Sequence, residues 1–226
     1  MTNPDAPAPT AEELRELPVF PLPSVVLLPG GVLPLHLFEP RYREMIFETI
    51  EGGGTLMAVA MFEPGWEPDY EGRPAIRPIA GLGRIRAHRQ HANGRWDILL
   101  DGLVRVELSE LPPNRSYRLA RAEVIADRIS HPKVVEEARS GVFSLASSIA
   151  ALIRAEHTDF ELGVEATMSA SQLCDRLADR LVPDPETRQR ILETSDVKVR
   201  LALVQDAMVE LMARLPRNGP ARGAPD

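Results

Sequence analysis

The side chains able to do chemistry are few, and their spacing does not suit it. Only two lysines occur, Lys133 directly after a proline and Lys198 directly after a valine. A phosphate-cradling loop needs Gly-x-x-x-x-Gly-Lys-Ser/Thr, so that backbone N–H groups and a lysine hold the phosphates together. Neither lysine stands in such a context. A serine–lysine dyad would have to use one of them, at a helix entrance (Lys133) or on the polar side of a helix (Lys198). No Gly-x-Ser-x-Gly elbow surrounds any serine. His88 and His91 form an H-x-x-H pair, but residues three apart on a strand point to opposite faces. No cysteine pair adds ligands, so the two read as surface histidines of a hairpin rather than a metal site. His36, inside an apolar run, reads as a buried, hydrogen-bonded histidine, and His131 and His157 fall near helix ends. Cys174 adjoins a Leu173/Leu177 stripe and reads as an inert buried thiol. Asp175, Asp179 and Asp184 read as a solvated helix face. The expectation is no catalytic residue, no metal and no cofactor.

Composition narrows the classes further. The chain has 226 residues, 44% of them hydrophobic and 26% charged, with a formal net charge of −7. That length buries a real core as one large domain or two small ones. The acidic balance opposes a phosphate-backbone partner unless a local basic patch exists. Such a patch is conceivable where Arg77, Arg84, Arg86, Arg89 and Arg95 gather around one hairpin, with Arg84 and Arg86 on the same strand face. No aromatic platform stands beside them, and a solubilising exterior is the simpler reading. A single cysteine forms no internal disulfide. The N-terminus lacks a cationic leader, so a cytoplasmic protein is expected. Residues 1–14 and 216–226 are small, polar and proline-rich, and are expected to be disordered tails.

Two kinds of periodicity divide the remainder. Leu17–Phe38 is a charge-free apolar stretch broken by Pro18, Pro21, Pro23, Pro29 and Pro34. Each proline removes an N–H donor, which excludes a membrane helix. Short extended segments are expected instead at Pro18–Leu22, Val25–Leu28 and Val32–Phe38. Arg41–Glu51 carries Tyr42, Met45, Ile46 and Ile50 on one helical stripe, ended by Gly52-Gly53-Gly54. Thr55–Phe62 is a continuous apolar run of strand length. Residues 63–75 form a Gly/Pro-rich loop with Trp66 and Tyr70. Ala80–Gln90 and Arg95–Leu100 flank Asn93-Gly94, a strong hairpin signal. Leu103–Leu108 and Tyr117–Ala126 alternate as strands. From about Pro132 the period becomes helical: Val142, Leu145, Ile149 and Leu152, then Leu173, Leu177 and Leu181. Asp184-Pro185 opens a further helix, and Ser195 or Asp196 a last one carrying Val197, Leu201, Val204, Met208, Leu211 and Leu215.

Residues 17–45 read Leu-Pro-Val-Phe-Pro-Leu, then Val-Val-Leu-Leu-Pro-Gly, then Leu-Pro-Leu-His-Leu-Phe-Glu-Pro-Arg-Tyr-Arg-Glu-Met. This order resembles the start of the N-terminal, substrate-recognition domain of the ATP-dependent Lon proteases. Gly81–Ile85, Asp101–Val106 and the helical stretch from Leu177 to Leu201 are similar to later parts of that family. The resemblance runs from about residue 15 to 214.

The resemblance implies an α+β fold: a small PUA-like β-barrel of six or seven strands with one early helix over residues 15–130, then a helical C-terminal bundle over 131–215. It implies a non-catalytic, peptide-binding module for unfolded or degron-bearing polypeptide, since the chain ends where that recognition domain ends, before the ATPase and peptidase. Lon protease or another protein is a further expected partner. The alternatives are an RNA-binding PUA-like module or a regulator of a full-length Lon protease. Recognition of this kind needs anchors in a groove or a free strand edge. Phe38, Phe62, Trp66 and Tyr70 are the candidate anchors, because they lie at strand ends or in the proline-rich loop. Core or loop packing is the competing reading for each.

Overall fold

The proline-punctuated opening folds as two strands joined by a buried strap. The computed structural model describes residues 7–215. β1 (Leu17–Leu22) and β2 (Val32–Leu37) precede α1 (Pro40–Glu51), followed by β3 (Leu56–Met61), β4 (Ile79–Gln90), β5 (Trp96–Glu110) and β6 (Arg118–Val124). Four helices complete the chain: α2 (Pro132–Arg154), α3 (Ala170–Leu181), α4 (Pro185–Glu193) and α5 (Val197–Arg214). The fold is therefore mixed α+β, with a six-stranded sheet and five α-helices among the described residues.

Strands lie in the order β2-β5-β4-β3-β1-β6, and β6 also pairs with β5. The pairings from β5 through β4, β3, β1 and β6 thus return to β5. Among the paired strands of the described residues, β1 and β3 run parallel and the other pairs are antiparallel. β5 serves three neighbours. Its first half pairs with β2 from Trp96 to Asp101, its second half with β6 from Val106 to Glu110, and β4 follows nearly its whole length. The segments expected as separate strands on either side of Gly102 are one continuous strand. Register shifts at Leu82/Gly83 and Ile85/Ala87 bend β4 against it.

The segment expected as an extended strand at Val25–Leu28 joins no sheet. It crosses β4 and β5 as a strap, with Val26, Leu27 and Leu28 all buried. Glycines let it approach: a Cβ on Gly81 would collide with the carbonyl oxygen of Leu27, and one on Gly102 with that of Leu28. Gly30 N–H donates to Gly102 O at 2.8 Å, and Gly102 N–H donates to Gly31 O at 2.9 Å. The turn that ends the strap is thus tied to one glycine of β5, while Leu28 O accepts from Gly31 N–H at 2.9 Å.

Three apolar clusters fill the molecule. Phe20, Leu37, Tyr42, Met45, Ile46 and Trp96 pack α1 against the sheet. Val19, Ala58, Leu82, Val106 and Ala120 form a second cluster from strand residues. Helices α2, α3 and α5 share the third, which also takes in Val26, Leu28 and Met61. The helix starts follow the sequence signals. Ser169 and Gln172 make a capping box on α3, and Asp184 and Asp196 cap α4 and α5. Within the expected tail 1–14, the chain from Thr10 forms a turn in which Thr10 Oγ1 accepts from Glu13 N–H at 3.3 Å. Leu14 O accepts from Ala122 N–H at 2.8 Å, so this stretch joins the fold. Residues 1–6 and 216–226 lie outside the described residues.

A charge cluster joins strands to helices. Arg105 of β5 donates to Asp175 of α3 at 2.7 Å, to Asp127 at 2.9 Å and to the carbonyl of Leu192 at 3.1 Å. Arg200 of α5 donates to Asp127 at 2.7 Å and Ser171 at 2.8 Å, and lies 3.5 Å from Asp175. Asp175 is 3% exposed and Arg200 fully buried. The expectation of a solvated face at Asp175 is thus corrected: its stripe turns inward against two guanidinium groups. Asp184 is a cap rather than a free carboxylate.

Removing one member strands the others without compensation, so Asp175→Ala is expected to lower unfolding free energy by about 3–5 kcal/mol, measured by urea titration. A second expectation concerns acid. Hydrogen bonds from the Thr187 hydroxyl and N–H hold the Asp184 carboxyl below the usual carboxylate range. A native value below the unfolded one means that the cap stabilises above pH ~4 and is lost as pH falls. Asp184→Ala should cost about 1 kcal/mol at neutral pH, a difference that shrinks in unfolding titrations run progressively below pH ~4.

Candidate functional site

Where β2 hands over to α1, the chain must leave the sheet, and the residues at the junction cannot all be buried. Phe38 follows β2 and is 57% exposed. Glu39 takes the N-cap position of α1 and Pro40 the first helical position, which fits a residue lacking an N–H. The loop after β3 folds over this junction. Tyr70 donates its hydroxyl to Glu39 Oε1 at 2.6 Å, and Arg41 donates from Nε to Glu39 Oε2 at 3.0 Å. The Arg41 guanidinium also lies 4.9 Å from the Tyr42 ring centroid and 5.2 Å from that of Tyr70. Together they border a groove of about 710 Å³, lined by Phe38, Glu39, Arg41, Tyr70, Arg73 and Ser116 among others.

Behind the groove the rings stack. Phe62 and Trp66 are parallel at 5.1 Å between centroids, and Tyr70 meets Trp66 edge-on at 5.6 Å. Phe62 is only 3% exposed. Phe38 and Tyr70 line the groove, whereas Phe62 and half-buried Trp66 pack behind Tyr70 and do not line it. Burial, reinforced by the bond to Glu39, raises the Tyr70 pKa; burial pushes Tyr42 up to about 12. Both remain neutral hydroxyls near pH 7.

Three of the five arginines around the hairpin, Arg77, Arg84 and Arg86, engage acids, a hydroxyl and a carbonyl. Arg77 lies 2.8 Å from Glu186 and 3.3 Å from Glu63, Arg84 donates to Thr55 Oγ1 and Pro7 O at 3.0 Å, and Arg86 is 3.2 Å from Asp101. His36 is exposed, not buried: it sits on the open side of β2, where its Nδ1 is 2.6 Å from Asp97 Oδ1. His91 Nε2 is 2.6 Å from Asp97 Oδ2. His88 instead packs beside Trp96, with centroids 5.8 Å apart. The partner of His91 is therefore His36, distant in the chain, and only the β2–β5 register brings it there. No signal within the hairpin sequence points to it. Hydrogen bonds from His36 and then His91 hold the Asp97 carboxyl below its usual range.

Residues 16–210 match the family described as the ATP-dependent protease La (LON) substrate-binding domain. The chain belongs to that family. The match spans β1 to α5 and so includes the groove and the histidine pair. Lon protease 2 of Syntrophobacter fumaroxidans is 30% identical over 206 residues, covering 89% of this chain and 25% of that protein. Lon protease 2 of Myxococcus xanthus is 25% identical over 193 residues, 85% of this chain and 23% of that protein. The chain thus spans about a quarter of the length of these relatives, and the match to the family lies within the substrate-binding domain. Among solved structures, the N-terminal domain of the Mycobacterium avium complex Lon protease superposes with a TM-score of 0.66 at 18% identity, covering 87% of this chain and 99% of that one. The Lon N-terminal domain protein from Xanthomonas campestris gives 0.56 at 23% identity, over 89% and 99% of the two chains. No helix among the described residues is long and apolar enough to cross a membrane.

Cys174 makes no part of any site. It is fully buried, and burial pushes its thiol up to about 12. A thiolate is the reactive form, so a thiol-directed reagent at pH 8 should leave the native protein unmodified. In denaturant it should label one thiol per chain, counted by mass spectrometry.

Proposed function

We propose that this LON substrate-binding domain is a non-catalytic module that holds unfolded or degron-bearing polypeptide in the groove between Phe38 and the loop of Trp66 and Tyr70. The observation that carries the reading is Phe38, a large ring left exposed at the rim of a groove whose other walls are held by hydrogen bonds. Exposed aromatic anchors beside a pre-formed pocket contribute most of the affinity in peptide recognition. β2 adds a second means of capture. It stands at the end of the strand order, paired only with β5, and carries Pro34 as edge strands tolerate. An extended segment can lie along such an edge while its side chains reach the groove.

Glu39, Arg41, Glu71 and Arg73 give the groove both signs of charge, which suits a polypeptide better than a phosphate backbone. The same reading takes the returning strand pairings as a PUA-like barrel over 15–130 and the helices as a bundle over 131–215 that supports it. The relatives named as Lon proteases make that protease a natural partner, in the cytoplasm, and the chain's own contribution is binding.

The test is anisotropy of a fluorescent protein kept unfolded by reduction and alkylation, titrated without nucleotide. Saturable binding is expected, weakened about tenfold by Phe38→Ala, a loss of about 1.4 kcal/mol, with little change in melting temperature because the ring is exposed. Trp66→Ala should weaken binding as well. Unfolded protein that fails to bind, or that binds parent and Phe38→Ala equally, would overturn the reading.

A further inference from the structure

We propose that His36, His91 and Asp97 form a site for a borderline divalent transition-metal ion such as Zn²⁺, Co²⁺ or Ni²⁺. One ligand atom from each, two imidazole nitrogens and a carboxylate oxygen, lie within 4.8 Å of one another. Three separate places in the chain supply them, and backbone pairing sets all three. His36 and Asp97 are direct register partners across β2 and β5. His91 stands at the hairpin between β4 and β5, where its N–H donates to Arg95 O and its carbonyl accepts from Gly94 N–H, both at 2.8 Å. The backbone therefore sets the three donor-bearing residues side by side before any ion arrives, which lowers the ordering cost of binding and offsets the loss of Asp97's two hydrogen bonds.

The donor set decides the class of ion. Zinc binds imidazole nitrogen and carboxylate oxygen at about 2.0–2.2 Å, which places neighbouring donors in a tetrahedron roughly 3.3 Å apart. His36 Nδ1 and His91 Nε2 already converge on the two oxygens of Asp97, so small side-chain rotations reach that spacing. To ligate, His36 carries its proton on Nε2 and His91 on Nδ1, and Asp97 gives up its bonds to both rings. Calcium and magnesium are hard ions that prefer oxygen to imidazole nitrogen, whereas two imidazoles with one carboxylate suit zinc and its neighbours. Arg89, the register partner of Asp97 on β4, is the nearby cation that opposes the ion. Three protein donors leave a fourth position to water, on the open side of β2 where the Phe38 ring lies 6.3 Å from that of His36. An ion there would fasten the edge strand to the hairpin.

The experiment is titration of the protein with Co²⁺, read by the visible ligand-field bands, followed by displacement with Zn²⁺. One equivalent is expected, with His36→Ala, His91→Ala and Asp97→Asn each at least tenfold weaker. His88→Ala, beside Trp96, should bind as the parent does. Zn²⁺ should also raise the melting temperature of the parent, by mass action on the folded state, and not that of His36→Ala/His91→Ala. Absence of saturable Co²⁺ uptake, or uptake unchanged in the double variant, would overturn the proposal. Capture of unfolded protein by the Phe38 and Tyr70 rings of the groove uses none of these three side chains, so the Phe38→Ala titration tests that reading whichever result the metal gives.

Discussion

Four buried or half-buried charges hold the strand half and the helical half to one another. Arg105 comes from β5, Asp175 from α3 and Arg200 from α5, while Asp127 lies in the segment between β6 and α2. Two cations meet two anions, so the cluster is neutral as a set, and Leu192 O and Ser171 Oγ take further donors. Apolar packing alone is non-directional and would tolerate sliding of helices over strands. Charge pairs taken out of water are not tolerant, because a shift by one position leaves a buried ion without a partner. The cluster thus sets the angle at which the helices meet β5, and with it which strand surfaces stay open.

The strap does the equivalent work within the strand half. Leu27 and Leu28 cross β4 and β5 at positions where only glycine leaves room, and the strap delivers the chain to β2 at the edge. β2 then runs out at Phe38. The ring is exposed because α1 begins at Pro40, too soon for the chain to turn Phe38 back into the core that Leu37 enters. The groove follows from this: Glu39 receives both Tyr70 and Arg41, which fixes the loop against the helix start and leaves a cleft between them.

The proposed reading of the junction rests on membership of the LON substrate-binding domain family and on the exposed Phe38. A domain that selects polypeptide needs surface that is apolar, open and already shaped, and needs no acid, base or nucleophile in a dry pocket. Buried Asp175 is neutralised by two guanidinium groups, buried Asp101 lies 3.2 Å from Arg86, and the cysteine is sealed in the helical core. The histidine–aspartate cluster stands apart from that core, and one of its members, His36, lies on the edge strand that leads to Phe38.

Helix positions were legible from periodicity, proline and caps: the helix expected over Arg41–Glu51 begins one residue earlier at Pro40, Asp184 caps α4 as expected, and of Ser195 and Asp196 it is Asp196 that caps α5. The strand at Thr55–Phe62, the Asn93-Gly94 hairpin and the ordered opening motif were legible too, because each depends on residues adjacent in the chain. Phe62 shows the limit for the site, since an aromatic residue at a strand end reads alike whether it faces solvent or the core. Local order determined the elements and, through the opening motif, the family. Tertiary structure alone decided that Val25–Leu28 is a strap, that Asp175 is buried between arginines, and that His36 meets His91. Each of those depends on register or packing between segments far apart in sequence, where no local rule of spacing applies.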